Sequence, residues 1–161
     1  MSEEFVPLPI ENVQSFPRPP IIQTVPQPIR VFFADTLIVD SVRAFRVLET
    51  HHPPTYYIPP DDVVCELLPA SGRSYCEWKG FARYFDVRAS GRTVKRAAWC
   101  YDDPSHRFFE IRHHLAFYAD RMDKCYVGDQ PVDAQAGSFY GGWITANLRG
   151  MPKGAPGTEH W

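Results

Sequence analysis

"SYCEWKGFARYFDVRASGRTVKRAAWCY", residues 74–101, reads as two long strands joined by a tight turn. Aromatic and β-branched residues recur through 74–89 and 93–101, as half-buried strands require, and Gly91 between them supplies the positive φ of a hairpin corner. Strict alternation along the first strand puts Glu77, Lys79, Phe81, Arg83 and Phe85 on one face. Cys76, Trp78, Gly80, Ala82 and Tyr84 then share the other. A glycine inside such a run, here Gly80, marks a bulge or a close approach to the backbone.

Upstream, "IRVFFADTLIVDS" (29–41) is a second hairpin, with Ala34-Asp35-Thr36 as its corner, and "RAFRVLET" (43–50) is a further strand. That strand carries charge among apolar residues on both faces, so one charged set is expected to point into a polar pocket. In "HHPPTYYIPPDD" (51–62) the Pro-Pro pairs restrict the backbone on both sides of "TYYI", giving a stiff edge strand between two corners. The spacing of Val63/Val64 and Leu67/Leu68 predicts a brief helix over 62–68, N-capped by Asp61 or Asp62. Downstream, 102–114 begins with helix-turn chemistry, and "LAFYA" and "KCYV" are short strands. The expectation is a mainly β, single-domain, antiparallel fold with one or two short helices.

The flanks differ in kind. Residues 1–28 form a proline-rich arm, with Phe5, Phe16 and the Ile21-Ile22 pair as anchors onto the domain or a neighbouring subunit. Residues 29–136 form the core. The Gly- and aromatic-rich tail, 137–161, is too apolar for a free linker and is expected to pack Phe139, Tyr140, Trp143 and Trp161 over the core.

At 161 residues the chain is long enough to bury one core without staples. A formal net charge of −2 gives no electrostatic footprint for nucleic acid or an anionic membrane, so neither is an expected partner. No apolar run approaches the roughly 20 residues that span a bilayer, and the N-terminus lacks a signal-peptide pattern; a cytoplasmic location is expected. Cys65, Cys76, Cys100 and Cys125 form no Cys-x-x-Cys pair and read as small buried apolar residues rather than as a zinc or redox motif.

Three motifs, "DTLIVDSVRAFRVLETHHPPTYYIPPDDV", "CEWKGFARYFDV" and "AAWCYDDP", resemble the DUF427 family in order and spacing, over roughly residues 30 to 127. The closing "FYGGWIT" and "KGAPGT" stretches are similar to a single-domain bacterial branch of it. The resemblance implies a compact antiparallel fold of the β-tent or barrel-like type. It also implies a shared pocket at the matched positions Glu49, Tyr57, Lys79, Gly80 and Trp99. The nucleotidyltransferase association sometimes attached to this family finds no chemistry here: no Gly-Ser followed by Asp-x-Asp occurs, and "KGAPGT" has the wrong order for a phosphate loop.

Three kinds of chemistry compete for the polar residues. A metal set would use Glu49, His51 and one of His113 or His114, but adjacent histidines on a strand point apart and the spacing matches no known site. No resident metal and no cofactor is expected. Cys76 near Lys79 has the makings of an activated thiol, yet alternation sends the two to opposite faces. The favoured reading is a charged, aromatic pocket for a small polar or anionic ligand. Glu49, Glu77 and Lys79 are its candidate catalytic groups, and Arg43, Tyr57, Tyr84 and Trp99 its candidate ligand-binding groups. A non-catalytic homodimeric interaction module is the alternative. Substrate and reaction, if the protein is an enzyme, are not legible in the sequence.

Overall fold

The computed structural model describes residues 6–135 and 140–153. Along the chain run β1 (Glu11–Asn12), β2 (Ile21–Thr24), β3 (Ile29–Phe33), β4 (Thr36–Ser41), β5 (Phe45–Leu48), β6 (Thr55–Tyr57), β7 (Glu66–Cys76) and β8 (Gly80–Ala89). There follow β9 (Arg92–Tyr101), β10 (Ala116–Phe117), β11 (Lys124–Val127), β12 (Gln130–Pro131), β13 (Asp133–Ala134), β14 (Trp143–Ile144) and β15 (Leu148–Arg149). Helix among the described residues is confined to short 3-10 segments, so the fold is mainly β as expected.

Two four-stranded sheets, ordered β10-β9-β8-β7 and β12-β11-β3-β4, and a three-stranded sheet, β2-β5-β6, are antiparallel throughout. They do not close into a barrel. The β3–β4 and β8–β9 corners are two-residue loops, Ala34-Asp35 and Ser90-Gly91, with both residues of each at positive φ. That geometry matches the right-handed twist of the strands it joins.

The β8–β9 ladder decides where everything else sits. Residues 97–101 are buried in succession, so β9 is covered on both faces. Phe85, Val87, Ala98 and Cys100 face the main core, which is completed by Ile29, Val31, Ile38 and Val39 of the β3–β4 hairpin. Ala82, Tyr84, Trp99 and Tyr101 face the opposite way, into a second cluster with Val47, Tyr57, Phe108 and Ile111. Short β6 divides the same way: Tyr56 packs on Trp143 in the main core, ring centroids 5.2 Å apart, and Tyr57 enters the second cluster.

Three expectations are corrected. No helix forms over 62–68. Pro60–Asp62 is a single 3-10 turn, and Glu66–Leu68 open β7, with Glu66 opposite Arg88 and Leu67 opposite Val87. A two-turn helix is marginal by itself, and the free edge of β8 offers those residues a full ladder. Asp62 caps nothing; it accepts from the Arg43 guanidinium at 2.8 Å and from the Ser41 hydroxyl at 2.6 Å.

Residues 74–89 are not one strand either. The chain reverses at Glu77-Trp78-Lys79, where Cys76 pairs with Gly80, and Gly80 closes the turn at φ +98°. The strand expected over 43–50 is shortened to Phe45–Leu48, paired with β2 and β6.

The N-terminal arm lies on its own chain. Val13 and Phe16 are buried with Leu48, β2 pairs with β5, and β1 runs parallel to β15. Of the proposed anchors, Ile21 is exposed and Ile22 half-buried. In the tail, Trp143 is fully buried and its indole N–H donates to the Phe117 carbonyl at 2.9 Å. Phe5, Phe139 and Trp161 lie outside the described residues.

Candidate functional site

The second cluster does not fill its space. Beside it lies a cavity of about 230 Å³, with walls from three separated parts of the chain. Register builds the back wall. Tyr84 is directly opposite Trp99, and Ala82 opposite Tyr101, so both aromatic residues of β9 and Tyr84 emerge on one face. Tyr118 closes this wall against Trp99, ring centroids 4.5 Å apart.

Hydroxyls tie these rings together. Tyr57 is hydrogen-bonded to Trp99 and Tyr101, Tyr84 to Tyr118, and the Tyr84 and Ser74 hydroxyls lie 2.7 Å apart. Burial pushes the Tyr57, Tyr101 and Tyr118 phenols above the usual range, so they stay protonated at neutral pH.

The β7–β8 turn supplies the next wall. Cys76, Glu77, Trp78 and Lys79 all line the cavity, because the reversal collects residues that an unbroken strand would have sent to opposite faces. Ser105 fixes the turn from behind by donating to the Trp78 carbonyl at 2.6 Å. Lys79 is 8% exposed, with its ammonium 5.7 Å from the Tyr101 ring centre and 5.8 Å from that of Phe108. Among the described residues it has no hydrogen-bond or ion-pair partner.

Four other cations have carboxylate partners. Arg43 binds Asp62 at 2.8 Å, Arg46 binds Glu11 at 2.7 Å, Arg83 binds Asp102 at 2.7 Å and Lys95 binds Asp86 at 3.2 Å.

The third wall comes from the corner after β5 and from the tail. Glu49, His52 and Thr55 face Gln135, Tyr140, Gly141 and Lys153. Gly142 donates to the Gln135 side-chain oxygen at 3.1 Å, and the Gln135 amide donates to the Lys153 carbonyl at 2.6 Å. Burial, reinforced by Lys153, Lys79 and Arg18, holds the His52 imidazole down to about 4, leaving it neutral at physiological pH.

Of the seven site residues read from the sequence, Glu49, Tyr57, Glu77, Lys79, Tyr84 and Trp99 surround this one cavity. Arg43 does not. Its side chain lies in the ion pair with Asp62, whose hydrogen bond raises the guanidinium pKa and holds the carboxyl below its usual range. The set Glu49, His51 and His113 is not assembled: His113 Nδ1 is 3.0 Å from Asp102, and among the described residues no three His, Cys, Asp or Glu side chains converge to hold a metal ion.

Sequence reading missed Tyr101, Trp78, His52 and Lys153. Tyr101 is two residues from Trp99 on the same strand, so period-2 alternation points to it. Trp78 follows only once Gly80 is read as the end of a hairpin. His52 was set aside with its neighbour, and nothing local marks Lys153.

A model for a domain of unknown function, DUF427, matches residues 21–128, more than half of the chain. The chain belongs to the DUF427 family. The match takes in the first two walls of the cavity and Glu49, His52 and Thr55 of the third, and stops before Gln135, Tyr140, Gly141 and Lys153 of this DUF427 protein. No curated protein matches the chain. No helix among the described residues is long and apolar enough to cross a membrane.

Proposed function

We propose that this DUF427 protein binds a small polar or anionic ligand in the cavity beside Lys79. The observation that carries the reading is Lys79, only 8% exposed as a residue, lining the cavity and without a carboxylate partner among the described residues. An unpaired charge in such a place costs several kcal/mol unless something compensates it. Two cation–π contacts, near the outer limit of about 6 Å, offset part of this, roughly 2 kcal/mol each at a desolvated site. An anion in the cavity supplies the rest. Glu49 and Glu77 accept hydrogen bonds from the ligand's polar end, and Tyr57 and Trp99 bound its apolar part.

The test is a thermal-shift screen of the full chain against small carboxylates, phosphates and sulfates, run beside Lys79→Met. At least one anion raises the Tm of the wild type and not that of the variant. Unliganded Lys79→Met melts no lower than the wild type, because a cation without a partner does not hold the fold. A large drop in its Tm, or a screen in which no anion shifts the wild type, removes this reading.

A further inference from the structure

Lys79 is a nucleophile as well as a cation. The residue is buried, yet its amine is not sealed off: Trp78 Nε1 next to it has no accessible surface, whereas Lys79 Nζ keeps some, on a residue that lines the cavity. A carboxylate elsewhere in the molecule is met by a guanidinium, as Arg43, Arg46 and Arg83 meet Asp62, Glu11 and Asp102. Holding an anion does not call for a lysine. What lysine adds is a nitrogen that can bond to carbon.

Groups that move protons surround that nitrogen. Glu77 lies in the same turn and lines the same cavity. Tyr101, its ring centre 5.7 Å from the ammonium, keeps its phenol proton at neutral pH because it is buried. His52, neutral at physiological pH, lines the cavity within the field of both Lys79 and Lys153. The Tyr101 and Phe108 rings shield the nitrogen from bulk water, which a hydrolysable intermediate needs.

Charge selects the carbonyl compound. Lys79 and Lys153 line the cavity and Arg18 lies 4.0 Å from Glu49, three cations against the carboxylates of Glu49 and Glu77. One positive charge is left over, and a monoanion cancels it.

We infer that Lys79 forms a Schiff base with a small 2-oxo acid, whose carboxylate sits on the carbon beside the new C=N bond. This deepens the anion-binding reading and rests on it. Lys79 passes one ammonium proton to Glu77, and the nitrogen lone pair bonds to the 2-carbon as the C=O π pair moves onto oxygen. A second N–H proton moves to that oxygen and gives a neutral carbinolamine. Glu77 returns its proton to the hydroxyl, which leaves as water while the nitrogen lone pair closes the C=N bond. The iminium keeps the charge of the starting ammonium, and the step needs no oxidant, reductant or third reactant.

Pyruvate with sodium borohydride, added to the full chain and followed by peptide mass mapping, tests the step. Borohydride fixes an imine as a stable secondary amine but does not fix a thiol adduct, so Cys76 does not enter the result. Lys79 is labelled ahead of the exposed Lys95. Lactate, which carries the carboxylate without the ketone, leaves no adduct and slows labelling by pyruvate. Lys79→Arg keeps the cation and loses the adduct; the wild-type map decides the matter even where that variant does not fold.

An unlabelled Lys79, or labelling of Lys95 at an equal or higher rate, overturns the Schiff base, and a Tm raised by lactate or pyruvate then leaves anion binding standing. If acetone labels Lys79 as readily as pyruvate and lactate gives no protection, the 2-oxo acid is overturned. If Lys79 stays unlabelled and no anion shifts the Tm, both readings fall together.

Discussion

His52 carries the strongest pH signature of the cavity. Its folded pKa is held to about 4 by burial first and then by Lys153, Lys79, Arg18 and His51, whereas an unfolded histidine titrates near 6.5. Between those values the unfolded chain binds the extra proton, so stability falls as pH drops from 6.5 toward 4. Asp62, Asp86 and Asp102 have depressed folded values, so their contributions are complete above the ordinary 3.8 and are lost only as pH falls below it. The two windows are therefore separable. His52→Gln is expected to flatten the Tm profile between pH 6.5 and 4.5 and to leave the steeper acid limb unchanged. An unaltered slope in the upper window would show that His52 does not titrate as its surroundings require.

At the scale of the element, the turn after β7 and the strap around Gly141 shape the cavity. A Cβ at Gly141 would collide with the far edge of the Trp99 ring. That ring has little freedom to retreat, held by Tyr57 on one side and Tyr118 on another. Gly141→Ala is expected to destabilise the protein by about 1–3 kcal/mol in urea unfolding, as overpacking does elsewhere, with a change in near-ultraviolet circular dichroism from the displaced indole. Wild-type stability in that variant would mean that the tail does not press on Trp99.

The same elements show what could be read in advance. The hairpin at Ala34-Asp35, the corner at Gly91 and the edge strand at 55–57 announce themselves through local turn chemistry and proline, both properties of a few adjacent residues. The reversal at Glu77-Trp78-Lys79 does not. Its residues continue the alternation of the strand on either side, and only Gly80, at the end of the loop, betrays it. The helix expected over 62–68 failed for a related reason: the partner that claims Glu66–Leu68 as strand lies some twenty residues further along, in β8. Six of the seven candidate residues nonetheless line one cavity, picked out as polar or aromatic side chains on strands of the core. Arg43 was lost because Asp62, its partner, had been assigned to a helix cap.

Considered whole, the molecule holds its N-terminal arm at Glu11 and at Pro9. Glu11 of the arm meets Arg46 of β5 in a bidentate pair at 2.9 and 2.7 Å, with both side chains mostly shielded from water. The Asn147 side chain donates to the Pro9 carbonyl at 2.8 Å, next to the β1–β15 pairing. Glu11→Ala strands Arg46 with Gln23 and Tyr56 as its remaining partners, and is expected to cost about 1–3 kcal/mol by urea titration. A loss below a few tenths would indicate that the arm adds nothing to the folded domain.

The three walls of the cavity, near Glu49, near Lys79 and near Lys153, meet only after strands from across the chain have found their places. In kinetic terms the cavity is expected to form late, because its walls join residues far apart along the chain. An occupant has nothing to grip until the barrier to folding has been crossed, so it lengthens the lifetime of the folded molecule without hastening its formation.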